Sequence, residues 1–185
     1  MARAAILFFA LVLLALMSRW VADLIAPQPV VSKPVRHTPD FYLTQVQAWA
    51  MDEQGKLQHR MNAERITHFG DDNSVELTQP LFFSFDGDRP RWTITAESGI
   101  SDAEGDVIHL HGAVLMERQG SQQGILKTRD LLLKPQRDYA ETAAEVSFAD
   151  ASGVITAIGL RGHLGEGGHL ELLSTVRGTH EPSKR

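Results

Sequence analysis

The stretch Arg91–Arg118, RWTITAESGISDAEGDVIHLHGAVLMER, decides how the rest of the chain reads. Trp92, Ile94 and Ala96 alternate with polar residues and share one face of an extended segment. Ile108, Leu110, Val114 and Met116 do the same after the turn-forming SDAEGD. Period-two alternation on both sides of a polar, Gly-containing break predicts a β-hairpin.

The pattern recurs. MNAE precedes GDDN (Gly70–Asn73) and VELTQPLFFSF; LKTR precedes KPQRDY and AAEVSF; AIGLR precedes GEGGH and LELLSTV. Glu64, Glu97, Arg129 and Arg161 are 33, 32 and 32 residues apart. A strand–turn–strand order repeated at fixed spacing is how stacked hairpins look in sequence. The chain therefore predicts an all-β domain of short antiparallel strands. Phe41, Leu43 and Val46–Trp49 begin it, and DEQGK follows with Gly55 where a hairpin connection needs a left-handed residue. Val75 and Leu77 point one way, and Leu81, Phe83 and Phe85 are read as continuing that face beyond Pro80, itself a mark of a bulge or break. YAETAAEV (Tyr139–Val146) has helical composition, but its hairpin context predicts strand. The last strand is read as Leu170–Val176, with Thr179 onward fraying into solvent.

The 185 residues carry a net charge of −5, and −6 once the first 26 are set aside. An acidic domain is a poor bulk binder of nucleic acid or of an anionic membrane surface. The absence of cysteine excludes a disulfide scaffold, a thiol nucleophile, thiolate metal sites and a lipoprotein acylation site. Residues 4–17 are an unbroken apolar run, and extension to residue 26, with Arg19 snorkelling and Trp20 at the interface, is long enough to span a bilayer. The expectation is a single transmembrane anchor over 1–26, in preference to a cleaved signal peptide. A Pro-rich linker over 27–39 follows, then a β domain over 40–180 and a tail over 181–185.

Catalytic motifs are missing: there is no nucleophile elbow, phosphate loop, dinucleotide fingerprint or HExxH. His109 and His111 share a strand face but lack a third metal ligand nearby, and Asp86 and Asp88 lack the rest of a calcium loop. Neither an enzyme, a metal site nor a cofactor is expected; an anchored envelope hydrolase would need convergent polar groups that the sequence does not offer. Val75, Leu77, Phe83, Ile94, Ile108, Leu110 and Leu170 form an apolar set that serves either as core or as a trough for acyl chains. The edge strands could accept another sheet.

The landmarks DxxGKL, AExI, LTQPLFFSFD, WTITAE, IxLxGAV, VITAIGL and LxLLSTVRGT, behind one N-terminal anchor and a polar linker, give a resemblance over nearly the full length. The chain resembles the membrane-anchored periplasmic C component of the lipopolysaccharide export machinery. That resemblance implies a twisted β-jellyroll, open on one side and lined with apolar residues, held at the inner membrane with its C-terminal domain in the periplasm. It implies that lipopolysaccharide arrives from an ATP-driven transporter, through its transmembrane and ATPase subunits, and leaves to a soluble bridge protein stacked end to end. Lipid-meeting positions of the family match Val46, Leu77, Leu170 and His180, the last departing from the apolar or aromatic residue expected. Gly55 and Gly159 match family glycines tied to turn geometry and assembly. The rival class is a structural tether, a sealed β scaffold that docks proteins without binding lipid.

Overall fold

The structure, a computed structural model, describes residues 13–14, 16–20, 37–87, 89–120, 123–165 and 168–180. The chain divides into two units, Met1–Val35 and Arg36–Arg185. In the first, the described residues within 13–20 are helical. No helix among the described residues is long and apolar enough to cross a membrane. Most of the anchor over 1–26, most of the linker and the tail over 181–185 lie outside the described residues.

The second unit is β almost throughout, as the alternation predicts. Its strands are β1 (Pro39–Met51), β2 (Leu57–Phe69), β3 (Ser74–Thr78), β4 (Leu81–Asp86), β5 (Arg89–Thr95), β6 (Ser98–Asp102) and β7 (Ile108–His111). They continue with β8 (Val114–Arg118), β9 (Gly124–Thr128), β10 (Leu131–Lys134), β11 (Tyr139–Asp150), β12 (Gly153–His163) and β13 (Leu170–His180). A short 3-10 turn, Pro135–Arg137, joins β10 to β11 and ends on Asp138 in the left-handed region. All pairings are antiparallel.

The pairing pattern shows what the repeat means. Strand β2 pairs with β3 through Arg65–Phe69 and with β4 through His59–Asn62, so β3 and β4 are two halves of one strand broken at Gln79–Pro80. Likewise β5 and β6 break at Ala96–Glu97, β7 and β8 at Gly112–Ala113, and β9 and β10 at Arg129–Asp130. On the far side, β11 pairs with β10 through Tyr139–Glu141 and with β9 through Ser147–Asp150. The described strands thus make nine long segments in chain order, bent near their middles, and the bends line up as one corner. Two bent segments make one hairpin, which is the 32–33-residue spacing of the sequence. Glu64, Glu97 and Arg129 mark the corner itself.

Hydrogen bonds hold that corner. Gln79 N–H donates to the Glu97 carbonyl (3.0 Å) and Ala96 N–H to the Pro80 carbonyl (3.2 Å). The buried hydroxyls of Thr128 and Thr142 donate to the carbonyls of Glu145 (2.9 Å) and Asp130 (2.5 Å). These threonines satisfy carbonyls that the broken ladder leaves unpaired. At Gly159 the bend needs φ +79°, and a Cβ there would lie 3.0 Å from the Leu173 side chain, so glycine is required twice over.

The bend divides the unit into two layers whose inner faces form one core. Leu77, Ile108, Leu110, Leu131, Leu133 and Leu160 come from one layer, and Phe82, Trp92, Ile94, Met116, Leu126 and Val146 from the other. Single-period reading fails at the corner. Leu77 points inward, but Gln79 adopts φ +48° before Pro80, and beyond it Phe82 points in while Phe83 lies on the outer face. The expectation that Phe83 continues the face of Leu77 is therefore corrected: the kink shifts the parity by one residue. The same shift recurs between Ile94 and Gly99, and between Leu126 and Leu131. A smaller correction concerns the C-terminus, where Thr179 and His180 still belong to β13, opposite Val154 and Gly153.

Candidate functional site

The interior is not filled evenly. Towards β1, an apolar cleft of about 380 Å³ opens between the layers. Met61 and Phe82 line it from one side, and Ile66, Val75, Leu77 and Ile108 from the other. Its existence follows from the edge strand. In the register of β1 on β2, Ala48 lies opposite Met61 and Ala50 opposite His59, so beside these two residues β1 sets only methyl groups. The turn Asp102–Gly105 borders the cleft, and Trp49, exposed on β1, stands beside it.

Of the residues selected from sequence, Val75, Leu77 and Ile108 meet in the cleft. Ile94 and Leu110 belong to the closed core, Leu110 with no exposed surface. Phe83 lies outside, with the Arg60 guanidinium 4.2 Å above its ring. Val46, half-buried opposite Ala63, borders a separate and more polar hollow with Asn62, Glu64 and Gln79. Leu170 packs half-buried against the core at the other end of the stack, where β13 carries His180 opposite Gly153. Gly55 has φ +77° in the β1–β2 turn, which Asp52 organises by accepting the N–H groups of Gln54 and Lys56 (2.9 and 2.8 Å).

Sequence reasoning missed Ala48, Ala50, His59, Met61 and Phe82. The alternation of Leu57, His59, Met61 and Ala63 is the signal that places His59 inward. Burial holds the His59 imidazole below the ordinary histidine pKa, against the opposing pull of Asp138. Elsewhere, Tyr139 is raised by its hydrogen bond to Glu141, and exposed Asp72 is lowered by bonds from Ser74.

His109 and His111 lie on the outer face. His111 Nδ1 is 3.2 Å from Asp130, and among the described residues no third ligand joins the pair. Metal-ligand chemistry converges at His37, Asp71 and Asp72, all exposed. Stacking of His37 on Phe69 and its 3.1 Å contact with Asp71 explain that group without an ion.

Each end of the stack is an open edge: β1 pairs only with β2 and β13 only with β12 among the described residues. Both edges expose apolar side chains, Phe41, Tyr42 and Trp49 on one and Leu173 and Val176 on the other. A bent antiparallel meander with an apolar interior, and with both edge strands free among the described residues, defines a jellyroll-like β protein whose edges are open to strand addition. The family can be stated more closely. The model for lipopolysaccharide-assembly, LptC-related proteins matches residues 6–181, and this chain belongs to that non-catalytic family. Among solved structures it is similar to LptH of Pseudomonas aeruginosa, described as the LptA-homologous periplasmic component of the lipopolysaccharide transport device. The TM-score is 0.52 at 6% identity, over 67% of this chain and 95% of that one. That likeness is one of fold. No curated protein matches the sequence.

Proposed function

We propose that this protein is a non-enzymatic transfer subunit for lipopolysaccharide. Residues 1–26 anchor it in the inner membrane with the β unit in the periplasm. Lipid arrives from an ATP-driven transporter, whose transmembrane and ATPase subunits supply the energy, and passes to a soluble bridge protein. Jellyrolls of those neighbours extend the sheet at the edges of β1 and β13 by strand addition. The observation that carries this reading is the apolar cleft beside β1, because it offers an acyl chain a space that the protein's own side chains leave empty. The acidic surface suits such a ligand: phosphorylated sugars stay outside while hydrocarbon enters.

The test is photocrosslinking in membranes that contain the transporter and ATP. A diazirine side chain at Leu77, inside the cleft, is compared with one at Glu76, on the outer face. An ATP-dependent adduct at Leu77 alone is expected. A folded, anchored protein that gives no adduct at Leu77 would instead be a structural tether.

A further inference from the structure

The inner end of the cleft is closed by a contact unlike the rest of the core. His59 lies between the cleft and a second void of about 20 Å³ that reaches Ile94, Leu133 and Leu164. Phe82 and Pro135 border both spaces as well. Across this seam, His59 Nε2 stands 3.8 Å from Asp138 Oδ1, beyond hydrogen-bond reach. Nε2 is buried and finds no hydrogen-bond partner in the protein. Asp138 ends the 3-10 turn after β10, and its carbonyl accepts Leu164 N–H at 2.6 Å. Pro135–Asp138 and Leu164 thus form a tied strap over the seam.

Elsewhere the layers meet through fully buried apolar side chains such as Leu110, Met116, Leu126 and Leu160. A leucine at 59 would extend that packing, whereas a buried, unpaired imidazole nitrogen opposes it. Parting the layers at this point returns the nitrogen to water, which makes the seam the place where separation is least opposed. We propose that His59 is a gating residue: the layers part between His59 and the Asp138 strap, joining the void to the cleft so that a longer part of an acyl chain enters than the resting cleft holds. The gate rests on the lipid-transfer reading for its ligand, but its motion is testable without lipid.

The chain has no cysteine, so a thiol introduced by Leu133→Cys reports alone on the space behind the seam. Its alkylation rate by a small thiol reagent is compared with and without His59→Leu; Ile94→Cys serves as a second site should the first variant fold poorly. His59→Leu should slow labelling about tenfold or more, the cost of an unpaired buried polar group being of that size. It should also keep or raise Tm and reduce lipid adducts at a diazirine probe on Leu133 while sparing those at Leu77. A labelling rate unchanged by His59→Leu, or a lowered Tm, overturns the gate. Absence of adduct at Leu77 in the otherwise native chain overturns the lipid reading instead, and deprives the gate of its ligand whatever the thiol reports.

Discussion

The middle of the interior and its β1 end are built by the same alternation, yet one is solid and the other is not. In the middle, Leu110, Met116, Leu126 and Leu160 meet from both layers with no exposed surface. At the β1 end, Met61, Ile66 and Val75 are only half-buried, and there β1 sets Ala48 opposite Met61 and Ala50 opposite His59. A pattern of apolar and polar positions decides which face turns inward; the size of the inward residue on the last strand decides whether that face is closed core or open cleft. On the proposed lipid-transfer reading the contrast also separates stability from function, since residues of the middle hold the layers together and those of the cleft would meet the ligand.

The largest effect expected from breaking this comparison lies in the middle. Leu126→Ala should cost about 2–5 kcal/mol in urea or thermal unfolding, since close-packed neighbours cannot collapse into the space. Val75→Ala, in the half-open cleft, should cost about 1 kcal/mol by the same measurement. Equal losses would mean that the cleft is as tightly packed as the core.

Glycines sharpen the same contrast. Gly159→Ala forces a Cβ into the left-handed region and against Leu173, and the backbone part alone is about 1–2 kcal/mol. Gly55 shares the positive φ, but a Cβ there has open space around it, so Gly55→Asn should leave unfolding nearly unchanged, asparagine tolerating that conformation. Ala50→Leu is expected to leave the fold intact while filling the cleft. Lipid adducts at Leu77 should fall without loss of Tm, and a full-strength adduct would place the ligand elsewhere.

The smallest effect is electrostatic. Because burial depresses the folded pKa of His59, the unfolded chain takes up this proton more readily. Stability from this residue is therefore present above the ordinary histidine range, near pH 6.5, and is lost as pH falls through it. His59→Leu should flatten that part of a stability–pH curve between about pH 7 and 5. An unchanged slope would show that His59 is already solvated in the folded protein.

Much of this was legible from residues alone. Alternation around Trp92 and Met116 predicted their inward faces, and the 32–33-residue spacing predicted the hairpin repeat. The corner was not legible. Each strand flips or pauses there through one or two residues of special conformation, such as Gln79 at φ +48°, and nothing in glutamine announces a left-handed bend. That is why unbroken parity places Phe83 inward where Phe82 stands. The cleft was half legible: Val75, Leu77 and Ile108 follow from parity, whereas the space between them depends on which strand closes the stack and on how small its alanines are. Parity on β2 turns His59 inward, but only the folded seam shows that its Nε2 lacks a hydrogen-bond partner.

The most direct test of the contrast uses one size-matched probe at two leucines, a diazirine analogue of leucine at Leu77 or at Leu126, in the chain supplied with lipopolysaccharide and no transporter. The cleft account predicts a lipid adduct at Leu77 and none at Leu126. Adducts of equal strength at both positions, or at Leu126 alone, would contradict it by showing that the middle of the interior is as open to lipid as the β1 end.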